Sequence, residues 1–233
     1  MPAPIVRSSL ALRQISLFAG LDDDCLNRIA AACEWRHVDA KKPVFTRSST
    51  GSDVFFLLTG RVRITTYSAS GREVSFRDYQ PGEHFGDLSA IDGQMRSADV
   101  VALESSQLAG LGAADFMALM AREPLIARRM LQHLTGLVRQ LTDRVLELST
   151  LSVQTRLHVE LLRLAHAAGV LADGSARIEP APPHSALASK ISTNREQVAR
   201  EISALTKSGL LRKQGQRTLC VTCVQDLQEL VLA

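Results

Sequence analysis

Arg195, Glu196 and Arg200 occupy relative positions 0, 1 and 5 of the segment Asn194-Arg-Glu-Gln-Val-Ala-Arg200. On a helix turning about 100° per residue, the two arginines sit roughly 140° apart with Glu196 between them, so one edge presents all three side chains. Arginine matches the paired acceptors of guanine, and glutamate accepts from the cytosine amino group. The trio therefore suits a G·C-containing site in a DNA major groove. The alternative is a solvated helix face on which Glu196 and Arg200 pair at i, i+4.

The neighbourhood favours the groove. Ala186, Leu187 and Ile191 form an apolar stripe on a short preceding helix. Ser192 to Asn194 supply turn and cap chemistry, and Val198, Ile202 and Leu205 repeat at i, i+4, i+7 on the next helix. Two short helices around a tight turn make a helix-turn-helix. Beyond it, Gly209 to Val221 reads as two β runs around Gln214-Gly215, a wing carrying Arg212, Lys213 and Arg217. Between His184 and Arg217 seven Lys/Arg stand against two Glu, a net +5 in a chain whose total is +3, so the remainder sums to −2. The positive charge is concentrated where phosphates would be met.

A second chemical cluster lies in Pro81-Gly-Glu-His-Phe-Gly-Asp-Leu-Ser-Ala-Ile-Asp-Gly-Gln-Met-Arg-Ser-Ala98. Its glycines free backbone N–H groups to approach an anion, Arg96 and Ser97 can hold a phosphate, and Asp87 can accept from a sugar hydroxyl. The alternative is a turn with a surface ion pair between Asp87 and Arg96.

The elements that must position these residues follow from the rest of the chain. With 233 residues and 45% apolar content, one or two cores can be buried, and two domains are expected. The opening Met-Pro-Ala-Pro-Ile-Val-Arg has no apolar core of a leader, and the apolar runs are too short to span a bilayer, so a cytoplasmic protein with no membrane association is expected. Residues 8 to 37 read as helices, with Asp22 a cap; residues 38 to 116 read as short strands broken by Gly51, Gly60, Gly71, Pro81-Gly82, Gly86 and Gly93, a small barrel or sandwich. From Glu123 to about Leu151 the pattern is helical, with Leu131, Leu134, Val138, Leu141, Val145 and Leu148 at alternating three- and four-residue spacings. That is a coiled-coil seam for a dimer, or else the face by which the helix packs on its own domain. Ala172 to Pro183 reads as a loop.

Other chemistries find less support. Four cysteines make no disulfide scaffold, and Cys220-Val-Thr-Cys223 falls in a wing strand where positions i and i+3 face opposite ways. A cupin-like metal enzyme needs two or more histidines converging in the barrel, and between residues 38 and 116 His84 stands alone. Neither a metal nor an enzymatic activity is expected.

Phe85-Gly-Asp-Leu88 followed by Arg96-Ser-Ala98, a long helix, then Leu187-Ala-x-x-Ile-x-Thr-x-Arg-Glu-x-Val-x-Arg200 and a wing resembles the cyclic AMP receptor protein/fumarate-nitrate regulator family of bacterial transcription factors. The resemblance runs from about Leu12 to Val221. It implies an α+β fold with an N-terminal cyclic-nucleotide-binding, jelly-roll-like β-barrel (residues 1–122), a long dimerisation helix (123–151) and a C-terminal winged helix-turn-helix (152–233). It implies a cyclic nucleotide effector, cyclic AMP or cyclic GMP, held by Gly86, Asp87, Leu88, Arg96 and Ser97, with Thr142 facing the base. Asp87 stands where the family usually has glutamate, and Leu141-Thr142 replaces a pair of hydroxyls. His184, Ser185, Lys190, Asn194, Arg195, Glu196, Arg200 and Arg217 are the implied DNA contacts, on a half-site resembling TGTGA in a palindrome. Double-stranded DNA, a second copy of the chain and RNA polymerase are the implied partners. Family members that sense redox state or haem, or that need no effector, are the nearest alternative.

Overall fold

The computed structural model describes residues 8–67, 73–215 and 217–232, and the chain divides into two compact units, residues 1–137 and 138–233. The opening segment Met1–Arg7 and Gly71, read above as leaderless and as a turn, lie outside the described residues.

The first unit is built on two four-stranded antiparallel sheets. One runs β1 (Glu34–Val38), β8 (Ser106–Leu111), β3 (Val54–Thr59), β6 (His84–Phe85); the other runs β2 (Pro43–Phe45), β7 (Asp99–Ala102), β4 (Val62–Tyr67), β5 (Glu73–Tyr79). Successive side chains of a strand point to opposite faces, and in β3 both faces are apolar and buried. Phe55 and Leu57 join Phe85 and Leu108 of their own sheet and Val62, Tyr79 and Val100 of the other in the barrel interior. Val54, Phe56 and Leu58 instead pack under helices, against Leu12 of α1 (Ser9–Leu12), Leu26 and Ile29 of α2 (Asp23–Ala32) and Phe116 of α4 (Ala113–Arg122). Burial on both faces explains why Val54-Phe-Phe-Leu-Leu58 is an unbroken apolar run; each such side chain contributes about 1.5–3 kcal/mol. Asp22 caps α2, its carboxylate accepting from Cys25 N at 2.7 Å.

The long helix α5 runs Pro124–Thr150. Its start is core of the first unit: Ile126 and Met130 are buried at i, i+4 with Leu134 packed beside them, and Arg129 donates to the carbonyls of Leu17 and Ala19. Beyond that start, Leu131, Val138, Leu141, Val145 and Leu148 are 41% to 66% exposed.

The second unit contains α6 (Val153–Ala168), β9 (Ala176–Ile178), α7 (His184–Lys190), α8 (Arg195–Lys207), β10 (Leu211–Gln214), β11 (Thr218–Val221) and α9 (Val224–Leu232). Leu157 and Leu161 of α6, Leu187, the Val198/Ile202/Leu205 stripe and Leu219 and Val221 of the wing share one core.

Two expectations fail locally. Glu34–Val38 is a strand, since Cys33 ends α2 in extended backbone and the chain then pairs with β8. Ala176–Ile178, read as loop, adds a third strand to the wing through pairing with β11. Its alternation of buried Ala176, exposed Arg177 and buried Ile178 is too short to stand out among glycines and prolines. No helix among the described residues is long and apolar enough to cross a membrane.

Candidate functional site

In the barrel, β6 runs through Gly86 into α3 (Asp87–Asp92). Gly86 has φ +84°, and a Cβ there would lie 2.8 Å from the Asp53 carbonyl oxygen and 2.9 Å from Arg96 Nη1. Only glycine fits both the backbone and the space. Arg96 Nη1 donates to the Gly86 carbonyl at 3.0 Å, and its guanidinium carbon lies 4.1 Å from the Phe45 ring centre and 5.8 Å from that of Phe55. The side chain is buried, its Nε has no hydrogen-bond partner, and no carboxylate among the described residues pairs with it. Burial holds the guanidinium pKa below its ordinary value, with Asp53 opposing. A buried cation steadied by ring faces and one carbonyl is a charge awaiting an anion. Ser97 is exposed next to it in the chain, and Leu88 is exposed on α3.

Asp87 is also buried, at 4% exposure, but it does not form the surface ion pair with Arg96 that the sequence left open. Its carboxylate takes the backbone N–H groups of Asp87 and Leu88 at the start of α3. Burial pushes its pKa up, against the pull of His133 and those N–H groups. His133 of α5 places Nε2 3.9 Å from Asp87 Oδ2, and its ring centre is 4.5 Å from that of His84. The expectation of no metal site rested on His84 standing alone between residues 38 and 116; the fold brings a second histidine, His133, to it from outside that range. His133 was missed because it lies on the helix after the barrel, outside the strand region searched; only tertiary packing brings it here.

Thr142 lies in the second unit, exposed on α5, with its hydroxyl donating to the Val138 carbonyl at 2.9 Å.

In the second unit, Ile191 is buried, Ser192 turns the chain at φ +57° and Thr193 N donates to the Ala188 carbonyl at 2.9 Å. Asn194 caps α8, accepting from Gln197 N at 2.8 Å. Cations hold the turn from behind: Arg144 donates to the Lys190 carbonyl and Arg156 Nε to the Ile191 carbonyl at 3.1 Å. With Val198, Ile202 and Leu205 facing inward, Asn194, Arg195, Glu196 and Arg200 are exposed. Glu196 and Arg200 form no ion pair among the described residues; the glutamate that α8 commits to a partner is Glu201, 2.7 Å from His158.

The implied DNA contacts divide accordingly. Ser185, Arg195, Glu196, Arg200, Arg212, Lys213 and Arg217 are exposed and open to a ligand. Lys190 lies 2.8 Å from the buried carboxylate of Glu160, so it also neutralises its own domain. The pKa of His184 is lowered by partial burial and by Lys213 and Arg195, which shows that α7, the wing and the start of α8 contribute to one positive field. Cys220 is buried and Cys223 partly so, and all four cysteines are free thiols.

Residues 35–123 match the cyclic nucleotide-binding domain model and residues 155–230 the Crp-like helix-turn-helix domain model. The cyclic AMP receptor protein of Thermus thermophilus is 31% identical over 199 residues, covering 84% of this chain and 88% of that protein. Among solved structures, a CooA mutant from Carboxydothermus hydrogenoformans superposes with a TM-score of 0.77 at 20% identity, over 88% of this chain and 90% of that one. The c-di-GMP responsive global regulator CLP of Xanthomonas campestris gives 0.71 at 20% identity, over 85% and 98%. The two structural likenesses establish the fold, and the Thermus alignment, carrying both domains in order, establishes kinship: this chain belongs to the CRP/FNR family of DNA-binding transcription regulators.

Proposed function

We propose that the chain acts as a homodimer whose DNA binding is controlled by a cyclic nucleotide, cyclic AMP or cyclic GMP, held in the barrel cassette, and that it reads a TGTGA-like palindrome. The observation that carries the effector is Arg96: a buried guanidinium, stacked on Phe45, without a carboxylate ion-pair partner among the described residues, and held by the carbonyl of Gly86, where a Cβ would press on it. A guanidinium already largely withdrawn from water loses less solvation on meeting a phosphate diester than a water-exposed arginine does. One relative is named for cyclic AMP and one structural neighbour for c-di-GMP, so phosphate recognition is the shared chemistry and the base is chosen elsewhere.

The exposed apolar seam from Leu131 to Leu148 supports the dimer, since a lone helix has no reason to keep five large apolar side chains in water at heptad spacing. Two copies related by a two-fold axis would present α8 to successive major grooves about 34 Å apart, hence the palindrome. A ligand shifts such a system only by its difference in affinity for the two DNA-binding states.

The test is calorimetric titration of nucleic-acid-free protein with cyclic AMP and cyclic GMP. Micromolar binding that disappears in Arg96→Ala is the expected result. No heat from either nucleotide sinks the effector assignment.

A further inference from the structure

His84 and His133 take no part in the nucleotide reading, and together with Asp87, which that reading gives to the sugar, they carry a second arrangement. The Nε2 atoms of both histidines and Oδ2 of Asp87 are buried, none has a hydrogen-bond partner, and ligand atoms of the three residues all lie within 4.8 Å of one another. His84 is 5% exposed and Asp87 4%. In the tautomers that leave each Nε2 a lone pair, two imidazole nitrogens and one carboxylate oxygen converge as three acceptors, a set of matched polarity for a cation. Each buried polar atom left unpaired destabilises the fold. The fold tolerates three at one point.

We propose that His84 Nε2, Asp87 Oδ2 and His133 Nε2 bind a divalent first-row transition-metal ion. Two imidazoles and one carboxylate, with no thiolate, form the ligand set that suits zinc, iron(II), cobalt or nickel and leaves coordination positions open for water or an incoming ligand. An ion with bonds of about 2.0–2.2 Å spaces its ligands about 3–3.6 Å apart. The ligand atoms lie within 4.8 Å of one another, with 3.9 Å between His133 Nε2 and Asp87 Oδ2, so binding would draw them together to reach that range.

Within the first unit the ion would tie strand β6, helix α3 and the start of helix α5 together through one centre. It would also occupy the Asp87 oxygen that family resemblance gives to a ribose hydroxyl, so metal ligation and sugar contact are exclusive uses of that atom. The inference does not depend on the nucleotide reading, because Arg96 takes no part in the metal site.

Full-length protein, stripped with a chelator and exchanged into metal-free buffer, is titrated with Zn2+ by calorimetry and with Co2+ by visible absorption. We expect one ion per chain at micromolar or tighter affinity, with the Co2+ bands of nitrogen and oxygen ligation. His133→Ala and His84→Ala should each weaken binding by about 100-fold or more, beyond the loss seen when only a supporting residue is removed. His166→Ala, altering an exposed histidine on α6, should leave the affinity unchanged. Should His84→Ala fail to fold, His133→Ala decides alone: its side chain is 18% exposed on a helix that accepts alanine, and unchanged far-UV circular dichroism confirms the fold. No uptake of Zn2+ at micromolar concentration, or a His133→Ala affinity within twofold of the parent, overturns the site. Zn2+ uptake without nucleotide heat sustains this inference and sinks the preceding one; nucleotide heat without Zn2+ uptake does the reverse.

Discussion

Gly86 and Gly93 bracket α3 with nearly the same left-handed backbone, φ +84° and +67°, yet they do different jobs. At Gly93 a Cβ would meet nothing within 4 Å, so Gly93→Ala pays only for the backbone, about 1–2 kcal/mol. At Gly86 the same Cβ would press on the Asp53 carbonyl oxygen and on Arg96. A backbone atom cannot step aside, so Gly86→Ala should cost roughly 1–3 kcal/mol more than Gly93→Ala and displace Arg96. Urea unfolding followed by Trp35, the single tryptophan, measures both, since Trp35 packs on the first unit's core. Equal losses in the two variants would mean that Gly86 is kept for its turn and not for the cassette. Nothing in residue type or spacing separates these two glycines. The sequence likewise left Asp87 and Arg96 as a surface pair or a binding pair, because burial is a property of what packs over a loop: here Phe45 and Phe55 cover Arg96, and His133 arrives from a helix that the cassette's own spacing does not foretell.

Elements were legible where a period lasts long enough to be counted. The seam on α5 repeats through several turns, and the Val198, Ile202, Leu205 stripe runs opposite the reading residues, so both helices and the orientation of α8 followed from spacing alone. Strands β1 and β9, of five and three residues, offered too little alternation, and their pairing with distant strands decided them. The seam makes a prediction at this scale. Val145 is 64% exposed, so Val145→Asp removes little packing within the chain and should leave the helix largely formed while placing two facing carboxylates in the dimer interface. Light scattering should then report half the parent mass; a dimer that survives Val145→Asp would assign the interface to another face. On α8, Glu196 is exposed and without an ion-pair partner among the described residues, so Glu196→Ala loses only its interaction with the helix N-terminus, about 0.3–1 kcal/mol. In selection from randomised DNA it should relax one base pair per half-site by about 1–3 kcal/mol, and an unchanged preferred sequence would mean that Glu196 does not meet a base.

Across the whole molecule the charge is segregated: a net +5 between His184 and Arg217, and −2 in everything else. The structure sharpens this by showing which cations are free. Lys190 is held by Glu160, while Arg212, Lys213 and Arg217 are exposed on the wing. If the wing cations meet phosphates while Arg195 and Arg200 meet bases, a dimer neutralises about six phosphates, and log K should fall with log[salt] at a slope of about −5. Affinity then drops about 10³-fold between 50 and 200 mM salt. Arg217→Ala should lower the magnitude of that slope by about 2, one phosphate from each half-site, and weaken specific and non-specific sequences alike. Glu196→Ala should change sequence preference and leave the slope where it was, because a base contact releases no counterion. Measuring both variants over one salt series separates positioning from reading. A slope that Arg217→Ala does not alter would take the wing out of the interface and leave α7 and α8 to hold the DNA backbone.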